Sequence, residues 1–201
     1  PVPRIVFLWL LGAENHPLPP HRRIERVRSR AHVDTTFLRA SYFMQNLVEV
    51  HGRDIRERDE VFVPAGDGAV SLVDAHDVAA VAAAALTEGG HRNRAYDVTG
   101  PEALDFHEIA DVLSTVLGRR VTYSNPSIPT FAYRMRKRGR SFGFVAVMVG
   151  IYTAARLGFS DRVTDDVERV LGRRPIPFGD FVSDYASQLS PADADSLVSP
   201  R

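Results

Sequence analysis

Residues 96–123 read YDVTGPEALDFHEIADVLSTVLGRRVTY, and this stretch decides the predicted fold. A short apolar strand comes first, and Asp105 and Glu108 then have the spacing of a helix capping box. The predicted helix ends at Gly118, and a second short strand covers Val121–Tyr123. The helix carries its apolar residues on one face, at Phe106, Ile109, Ala110, Leu113, Val116 and Leu117. The stretch therefore predicts a strand–helix–strand unit.

Strands and helices alternate through the chain up to residue 123. Apolar runs predict strands at Arg4–Leu11, Thr35–Leu38, Glu60–Val63, Ala69–Val73 and Ala95–Val98. The first of these runs is continuous, which is typical of a strand buried on both faces of a parallel sheet. Helices are predicted at Pro20–Ser29, Phe43–Val50 and Ala75–Leu86, with a charged connection at His51–Asp59. This alternation predicts an α/β fold with a mostly parallel sheet.

The end of the chain has a different pattern. Helices are predicted from Thr164, as the capping residue, to Leu171, and from Phe178 to Leu189. We therefore divide the chain into a main part at 1–123, a small and mostly helical C-terminal lobe at 124–189, and a polar tail at 190–201 that we expect to be disordered.

Composition narrows the class of protein. The 201 residues carry 25 basic and 25 acidic side chains, so no global charge attracts nucleic acid. The absence of cysteine excludes disulfides, thiolate chemistry and cysteine zinc sites, and it fits a cytoplasmic protein.

Four segments together resemble the NmrA-like family of atypical short-chain dehydrogenases/reductases. They are FLRASYFMQNL at 37–47, PAGDGAVSLVDAHDVAAVAAAALTE at 64–88, the stretch at 96–123, and VTDDVERVLGRRPIPFGDFVSDY at 163–185. The resemblance covers residue 4 to about residue 189 and implies a partial, Rossmann-like, doubly wound parallel sheet with a helical substrate lobe. It also implies NAD(P) as cofactor, because family members bind NAD(P), and some of them reduce quinones or other small organic molecules. Other members bind the cofactor without evident chemistry and act as regulators.

The Gly-rich turn that cradles a dinucleotide pyrophosphate is not found in the sequence. Gly66-Asp67-Gly68 is the only G-x-G, Ser71 stands at the third glycine place, and a strand follows, so we interpret this segment as a hairpin turn. By resemblance, Arg4–Leu11 is a late strand of the family's sheet, so the chain matches only the C-terminal two-thirds of the fold. We therefore expect a fragment that does not bind NAD(P) alone, with an exposed sheet edge that would allow a homodimer.

The usual catalytic set of short-chain dehydrogenases is a serine, a tyrosine and a lysine. Trp9 and Leu10 stand at the serine place, Pro17 at the tyrosine place and His21 at the lysine place. Because proline cannot donate a proton, we assign no catalytic residue. His21 would bind a ribose or substrate, or lie at the surface of the first helical turn.

By resemblance, the sequence predicts two sets of binding residues. The cofactor would contact Trp9, Leu10, His21, Ala40, Ser41, Tyr42 and Phe43, at the carboxyl ends of the strands. A small apolar substrate would contact Asn46, Tyr123, Phe142 and Tyr152. Phe43, Met44 and Leu47 fit a pocket wall and a core equally well.

Three other features have competing interpretations. Asp74, His76 and Asp77 lack a further metal ligand, so we interpret Asp74 as a helix cap and the other two as solvent-facing, and predict no metal site. The remaining histidines, at 32, 51, 91 and 107, are predicted to lie at the surface. The basic residues of 134–140 are a solvated helix end or a site for a phosphate, a lipid or a partner. The apolar run 142–159 is a buried lobe helix in preference to a membrane helix.

These observations favour an NAD(P)H-dependent oxidoreductase acting on a quinone-like or other apolar acceptor. The loss of serine, tyrosine and lysine leaves open a non-catalytic, NAD(P)-sensing regulator or an inactive remnant.

Overall fold

A computed structural model describes residues 4–12 and 34–191, and the helix predicted at Pro20–Ser29 lies outside them. Its strands are β1 (Arg4–Leu10), β2 (Asp34–Ala40), β3 (Glu60–Phe62), β4 (Ala95–Val98) and β5 (Thr122–Ser124). Its helices are α1 (Gln45–Glu49), α2 (Gly52–Arg58), α3 (Ala75–Thr87), α4 (Phe106–Leu117), α5 (Ile128–Lys137), α6 (Phe142–Arg156), α7 (Asp166–Leu171), α8 (Phe178–Asp184) and α9 (Ala186–Leu189). The α/β class predicted from the sequence is confirmed.

The main sheet of the described residues has three parallel strands in the order β1-β2-β4. β2 is central, and its last residue, Ala40, is in register with Leu10 of β1 and Val98 of β4. β1 is an edge strand here and leaves Ile5 and Leu8 about half exposed, so its predicted burial on both faces is wrong for the described residues. Dimerisation through this edge stays a prediction.

A second sheet pairs β3 with β5 in parallel. Gly66 and Asp67 form the predicted turn, but it is not a hairpin, because the segment after it does not pair with β3. The strand predicted at Ala69–Val73 is also wrong. This segment is held by single bridges instead, from Val70 to Leu104 and from Val73 to Phe43.

The predicted capping residues at the start of α3 and at both ends of α4 are confirmed. Asp74 accepts from the backbone N–H of His76, and Asp105 and Glu108 form a capping box. Gly118, at φ 64°, ends α4 in the left-handed conformation that glycine adopts without strain.

Three local predictions need correction. Residues 51–59 contain helix α2, whose Ile55 side chain is buried in the core, and not a plain connection. Asp165, and not Thr164, is the capping residue of α7, because the Thr164 hydroxyl donates to the backbone carbonyl of Asp97. The helix predicted at 178–189 is divided into α8 and α9 at Tyr185.

The largest group of buried apolar side chains joins both predicted parts of the chain. It contains Leu47 and Phe106 from the main part and Phe131, Tyr152 and Phe181 from the helical part. A smaller group lies between the main sheet and helices α3 and α7. Among the described residues, no helix combines the length and the apolar composition that crossing a bilayer requires.

Candidate functional site

The carboxyl ends of β2 and β4 form the edge at which parallel sheets bind ligands. Just past Ala40, the Ser41 N–H donates to the carbonyl oxygen of Val98 at 3.0 Å, which extends the ladder by one residue. The buried hydroxyls of Ser41 and Ser71 lie 2.8 Å apart. This second contact fixes the backbone of the predicted cofactor residues against the segment that precedes α3.

Three buried polar rings meet directly behind this edge. The Tyr42 hydroxyl lies 2.9 Å from the hydroxyl of Tyr152 on α6. The same Tyr152 oxygen lies 2.5 Å from Nε2 of His51, which stands just before α2. Tyr152 and His51 are fully buried and Tyr42 is 6% exposed. We call Tyr42, Tyr152 and His51 the tyrosine–histidine cluster; the sequence predicted Tyr42 and Tyr152 as binding residues but placed His51 at the surface, which is wrong.

Aromatic side chains surround the Tyr152 ring. Phe106 and Phe131 meet it edge-on, with ring centroids 5.9 and 5.6 Å away. Phe106 in turn stacks on Tyr123 at 5.6 Å, and the Tyr123 hydroxyl donates to the carbonyl oxygen of Gly66 at 3.0 Å. Tyr42, Tyr152 and Tyr123 therefore belong to one continuous aromatic group.

Burial sets the protonation states of these rings. It lowers the pKa of His51 to about 4, although the charge of Asp54 acts in the opposite direction. Burial also raises the pKa of Tyr42 and Tyr152 well above the ordinary value, and that of Tyr123 to about 12. At neutral pH, His51 is consequently neutral and the tyrosines keep their protons, so the cluster acts through hydrogen bonds and not through charge.

A buried carboxylate adjoins this cluster. Asp54 on α2 is fully buried, and both of its oxygens accept from the Arg138 guanidinium at 2.6 Å. Arg134 also donates to Asp54, at 3.2 Å, and to Glu60, at 2.6 Å. Burial by itself raises the pKa of Asp54, but the hydrogen bonds and charge of Arg138, with the charge of Arg134, hold it below its ordinary value.

These contacts correct the prediction of a solvated helix end for Arg134 and Arg138, whereas Arg136, Lys137 and Arg140 are exposed as predicted. Arg134 and Arg138 fix α5 to α2 and the start of β3. Arg136 and Arg140 instead lie over the rings of Phe142 and Phe144, at 4.0 and 5.1 Å from the centroids.

Two further predictions of exposure are wrong. Asp77 is fully buried, because it accepts from the backbone N–H of Ile176 at 2.7 Å and pairs with Arg173 at 2.7 Å. His91 is also buried, and its Nδ1 lies 2.8 Å from the Tyr96 hydroxyl. His76 is exposed as predicted and contacts Asp74. Within residues 4–12 and 34–191, no three acidic or histidine side chains converge as metal ligands.

The structure does not bring every predicted binding residue to the cluster. Phe142 begins α6 and is 75% exposed, and Leu10 is 55% exposed at the end of β1. Trp9 is half-buried, in register with Arg39 of β2. Phe43 packs on the smaller core group, and the half-exposed Asn46 uses its backbone carbonyl to accept from Val50 and His51. His21 lies outside the described residues.

A dinucleotide would fit the described residues in part. The backbone from Ala40 to Phe43 lies at the correct sheet edge for a nicotinamide ring. Asp97, next to last in β4, pairs there with Arg39 at 3.3 Å and with Arg162 at 2.8 Å. However, no strand in the described ranges leads through a Gly-rich turn into a helix, so the pyrophosphate cradle is not among these residues.

A surface groove of about 690 Å³ lies beside α4 and β5, apart from the tyrosine–histidine cluster. Its lining shares Tyr123 with the aromatic group but contains none of Tyr42, His51 and Tyr152. The other lining residues are His107, Ala110, Asp111, Ser114, Thr115, Gly118, Arg119, Arg120, Val121 and Thr122.

Comparison with known proteins agrees with this geometry. No family model matches the chain. The chain is 38% identical over 157 residues to an NAD(P)H azoreductase from Xenophilus azovorans. The alignment covers 78% of this chain and 54% of that protein. It is 35% identical over 160 residues to a festuclavine dehydrogenase from Aspergillus fumigatus, covering 75% of this chain and 55% of the relative. The chain thus spans about half the length of these relatives.

Solved structures give the same result for the fold. A triphenylmethane reductase from Citrobacter sp. superposes with a TM-score of 0.81 at 26% identity, over 92% of this chain and 65% of that one. These relatives and neighbours are oxidoreductases, and they agree with the resemblance of the chain to the NmrA-like family of atypical short-chain dehydrogenases/reductases. An NADPH-dependent quinone oxidoreductase from Escherichia coli also superposes on this chain with a TM-score of 0.81, at 24% identity, over 90% of this chain and 67% of that one. That likeness shows the fold alone.

The sequence does not predict three residues of this site, namely His51, Asp54 and Ser71. No local pattern marks them, because their partners lie 101, 84 and 30 residues away. One signal was available for Asp54. Arg134 and Arg138 are four residues apart and lie on one face of a helix, a spacing that suits a shared anion.

Proposed function

We propose that this chain is part of an NAD(P)H-dependent oxidoreductase that reduces a small apolar acceptor, such as a quinone or an azo compound. The observation that carries the proposal is the 38% identity to the NAD(P)H azoreductase over 78% of this chain. The sheet edge supports it, since the backbone past Ala40 is held rigidly by the contacts of Ser41 to Val98 and Ser71. When bound, a reduced nicotinamide supplies a hydride to the acceptor.

The chain's own residues would position the acceptor and exclude water. Tyr42, Tyr152 and the phenylalanines around Tyr152 form a buried, apolar and uncharged layer behind the edge. Such surroundings suit a flat aromatic acceptor more than a charged one. The chain carries no tyrosine at the place where short-chain dehydrogenases usually have one, because Pro17 stands there.

The test is turnover by the protein from the complete reading frame that contains this chain. We expect NADPH or NADH to be oxidised with menadione, an azo dye such as methyl red, or crystal violet as acceptor. Asn46→Ala should raise KM for the acceptor, whereas Thr115→Ala, in the surface groove beside α4, should not. Loss of reduced nicotinamide absorbance gives the rates.

A second candidate function is an NAD(P)-sensing regulator. The presence of Pro17 favours it, since proline at this place removes the usual proton donor. Calorimetry separates the two candidates. Micromolar binding of NADPH without turnover of any of the three acceptors would support the regulator and contradict the oxidoreductase.

A further inference from the structure

The tyrosine–histidine cluster has more protons than it has hydrogen bonds. A neutral imidazole carries one N–H, and each neutral tyrosine carries one O–H, so His51, Tyr152 and Tyr42 hold three donor protons. Their two mutual hydrogen bonds use two of these protons. Within residues 4–12 and 34–191, neither the hydroxyls nor the imidazole has another partner, and Nδ1 of His51 is buried without one. One donor is therefore unsatisfied in every arrangement.

Burial decides where the unsatisfied donor costs least. A buried N–H or O–H without an acceptor is unfavourable, whereas a buried acceptor with an empty lone pair is tolerated better. If Nε2–H of His51 donates to Tyr152, and Tyr152 donates to Tyr42, then Nδ1 of His51 is only an unused acceptor. The unused donor is then the O–H of Tyr42. Tyr42 is also the one member of the cluster that is not fully buried, at 6% exposure.

The position of Tyr42 would allow its unused O–H to donate to a bound acceptor. It lies two residues past Ala40, the end of β2, at the edge where the nicotinamide and the acceptor would meet. Polarised chains of hydrogen bonds strengthen their terminal donor, and two rings stand behind this one. The cluster thus has the form of a donor array that ends at the binding edge.

We propose that the Tyr42 hydroxyl donates a hydrogen bond to the carbonyl oxygen of the reducible acceptor, with Tyr152 and His51 as positioning residues. The inference rests on the proposed function. A quinone takes up a hydride, which is two electrons and one proton, and negative charge accumulates on its oxygen. One further proton from solvent completes the hydroquinone. Tyr42 keeps its own proton throughout and stabilises the oxygen as its charge develops.

Two acceptors separate this role from a structural one. Menadione develops charge on oxygen, whereas crystal violet accepts hydride at its central carbon and becomes a neutral leuco dye. Tyr42→Phe should lower kcat for menadione by about 100-fold, because one preorganised donor is lost. With crystal violet, kcat should change by less than about 3-fold, which also reports that the variant folds and binds cofactor. Equal losses with both acceptors, or no loss with menadione, would overturn the proposal.

Tyr96→Phe is the matched control. It removes the hydroxyl of a second buried tyrosine–histidine pair, Tyr96 with His91, away from the carboxyl edge. We expect menadione and crystal violet rates that both match the wild type. A selective loss with menadione in this control would contradict the assignment to Tyr42.

The positioning role has its own test. Tyr152→Phe removes the donor to Tyr42 and should lower kcat for menadione by about 10-fold with KM almost unchanged. His51→Leu should do the same, and His51→Gln should restore most of the rate, since its amide can still donate to Tyr152. No rescue by glutamine would limit His51 to a packing role and overturn its part in the proposal.

A measurement without turnover distinguishes failure of the inference from failure of the proposed function. Menadione is bound to the complete protein without nicotinamide, and its carbonyl stretch is recorded by infrared difference spectroscopy. A shift to lower frequency that disappears in Tyr42→Phe supports the hydrogen bond. Absence of binding, or the same frequency in both proteins, overturns it. Failure of wild-type turnover alone would instead contradict the proposed function.

Discussion

Asp54 and Arg138 form a two-point ion pair in the interior, with both carboxylate oxygens 2.6 Å from guanidinium nitrogens. Asp54 belongs to α2 and Arg138 follows α5, so the pair joins segments 84 residues apart. Breaking a buried pair by removing one partner is costly, because the other charge remains without compensation.

We therefore expect Asp54→Ala to lower the free energy of unfolding by about 3 kcal/mol. Chemical denaturation measures this loss. Glu57→Ala is the control, since Glu57 lies on the same helix and forms an exposed pair with Arg53. The control should lose less than about 1 kcal/mol. Equal effects of the two substitutions would show that the Asp54–Arg138 pair does not stabilise the fold.

His51 should make stability depend on pH. Burial lowers its pKa from 6.5 to about 4 in the folded protein. Between these values the unfolded chain binds a proton that the folded chain does not, so the free energy of unfolding falls as the pH is lowered. The loss attributable to this group is about 3 kcal/mol in total.

Denaturation at about pH 7 and at about pH 5 tests this dependence in the wild type and in His51→Gln. The variant should be less sensitive to acid over this range. The Asp54 pKa, which is held below its ordinary value, predicts a separate loss at lower pH, as the pH falls through the folded-state pKa. An identical pH dependence of wild type and variant would exclude His51 as the titrating group.

The close approach of Gly68 to α6 predicts opposite effects of two alanine substitutions. A methyl group at Gly68 would collide with the backbone carbonyl of Ala155, so Gly68→Ala should cost about 1–3 kcal/mol. Gly150 lies inside α6 with open space around it, and Gly150→Ala should stabilise by about 1 kcal/mol. Thermal unfolding of both variants checks the signs. A stabilising Gly68→Ala would mean that α6 is not docked against this turn.

Asp77→Ala should lower the free energy of unfolding more than a substitution at an exposed position in the first turn of a helix would. Asp77 accepts from the backbone N–H of Ile176 and pairs with Arg173, so Asp77→Ala would remove the acceptor of that N–H and the carboxylate partner of Arg173. We expect a loss of about 2 kcal/mol, and increased proteolysis of the segment before α8. His76→Ala, at the exposed neighbouring position, serves as the control. Similar losses in both variants would argue against this contact.

The fold could be predicted where its signals are local. Asp105 and Glu108 mark the start of α4 because both halves of a capping box lie within four residues. Gly118 marks its end for the same reason. The sequence predicts a strand after Gly68, but single bridges hold this segment, since an apolar run does not show whether a neighbouring strand is available to pair with it.

The site was less predictable, because its contacts are tertiary. The family resemblance predicts Tyr42 and Tyr152 as binding residues, but nothing near His51 in the sequence indicates that a tyrosine 101 residues away will bury it. Asp54 likewise lies in a segment rich in charge, where exposure is the usual outcome. Arg134 on α5 and Arg138 just after it explain its burial.

The central place of β2 has a consequence for synthesis of the protein. β2 pairs with β4, which lies 58 residues further along the chain. Tyr42, just after β2, forms its hydrogen bond with Tyr152, which lies 110 residues further along. Contacts at such separations form late, because long loops must close first. While the chain leaves the ribosome, the binding edge thus remains incomplete until α6 has emerged, and the Tyr42 side chain is open to chaperones before that moment.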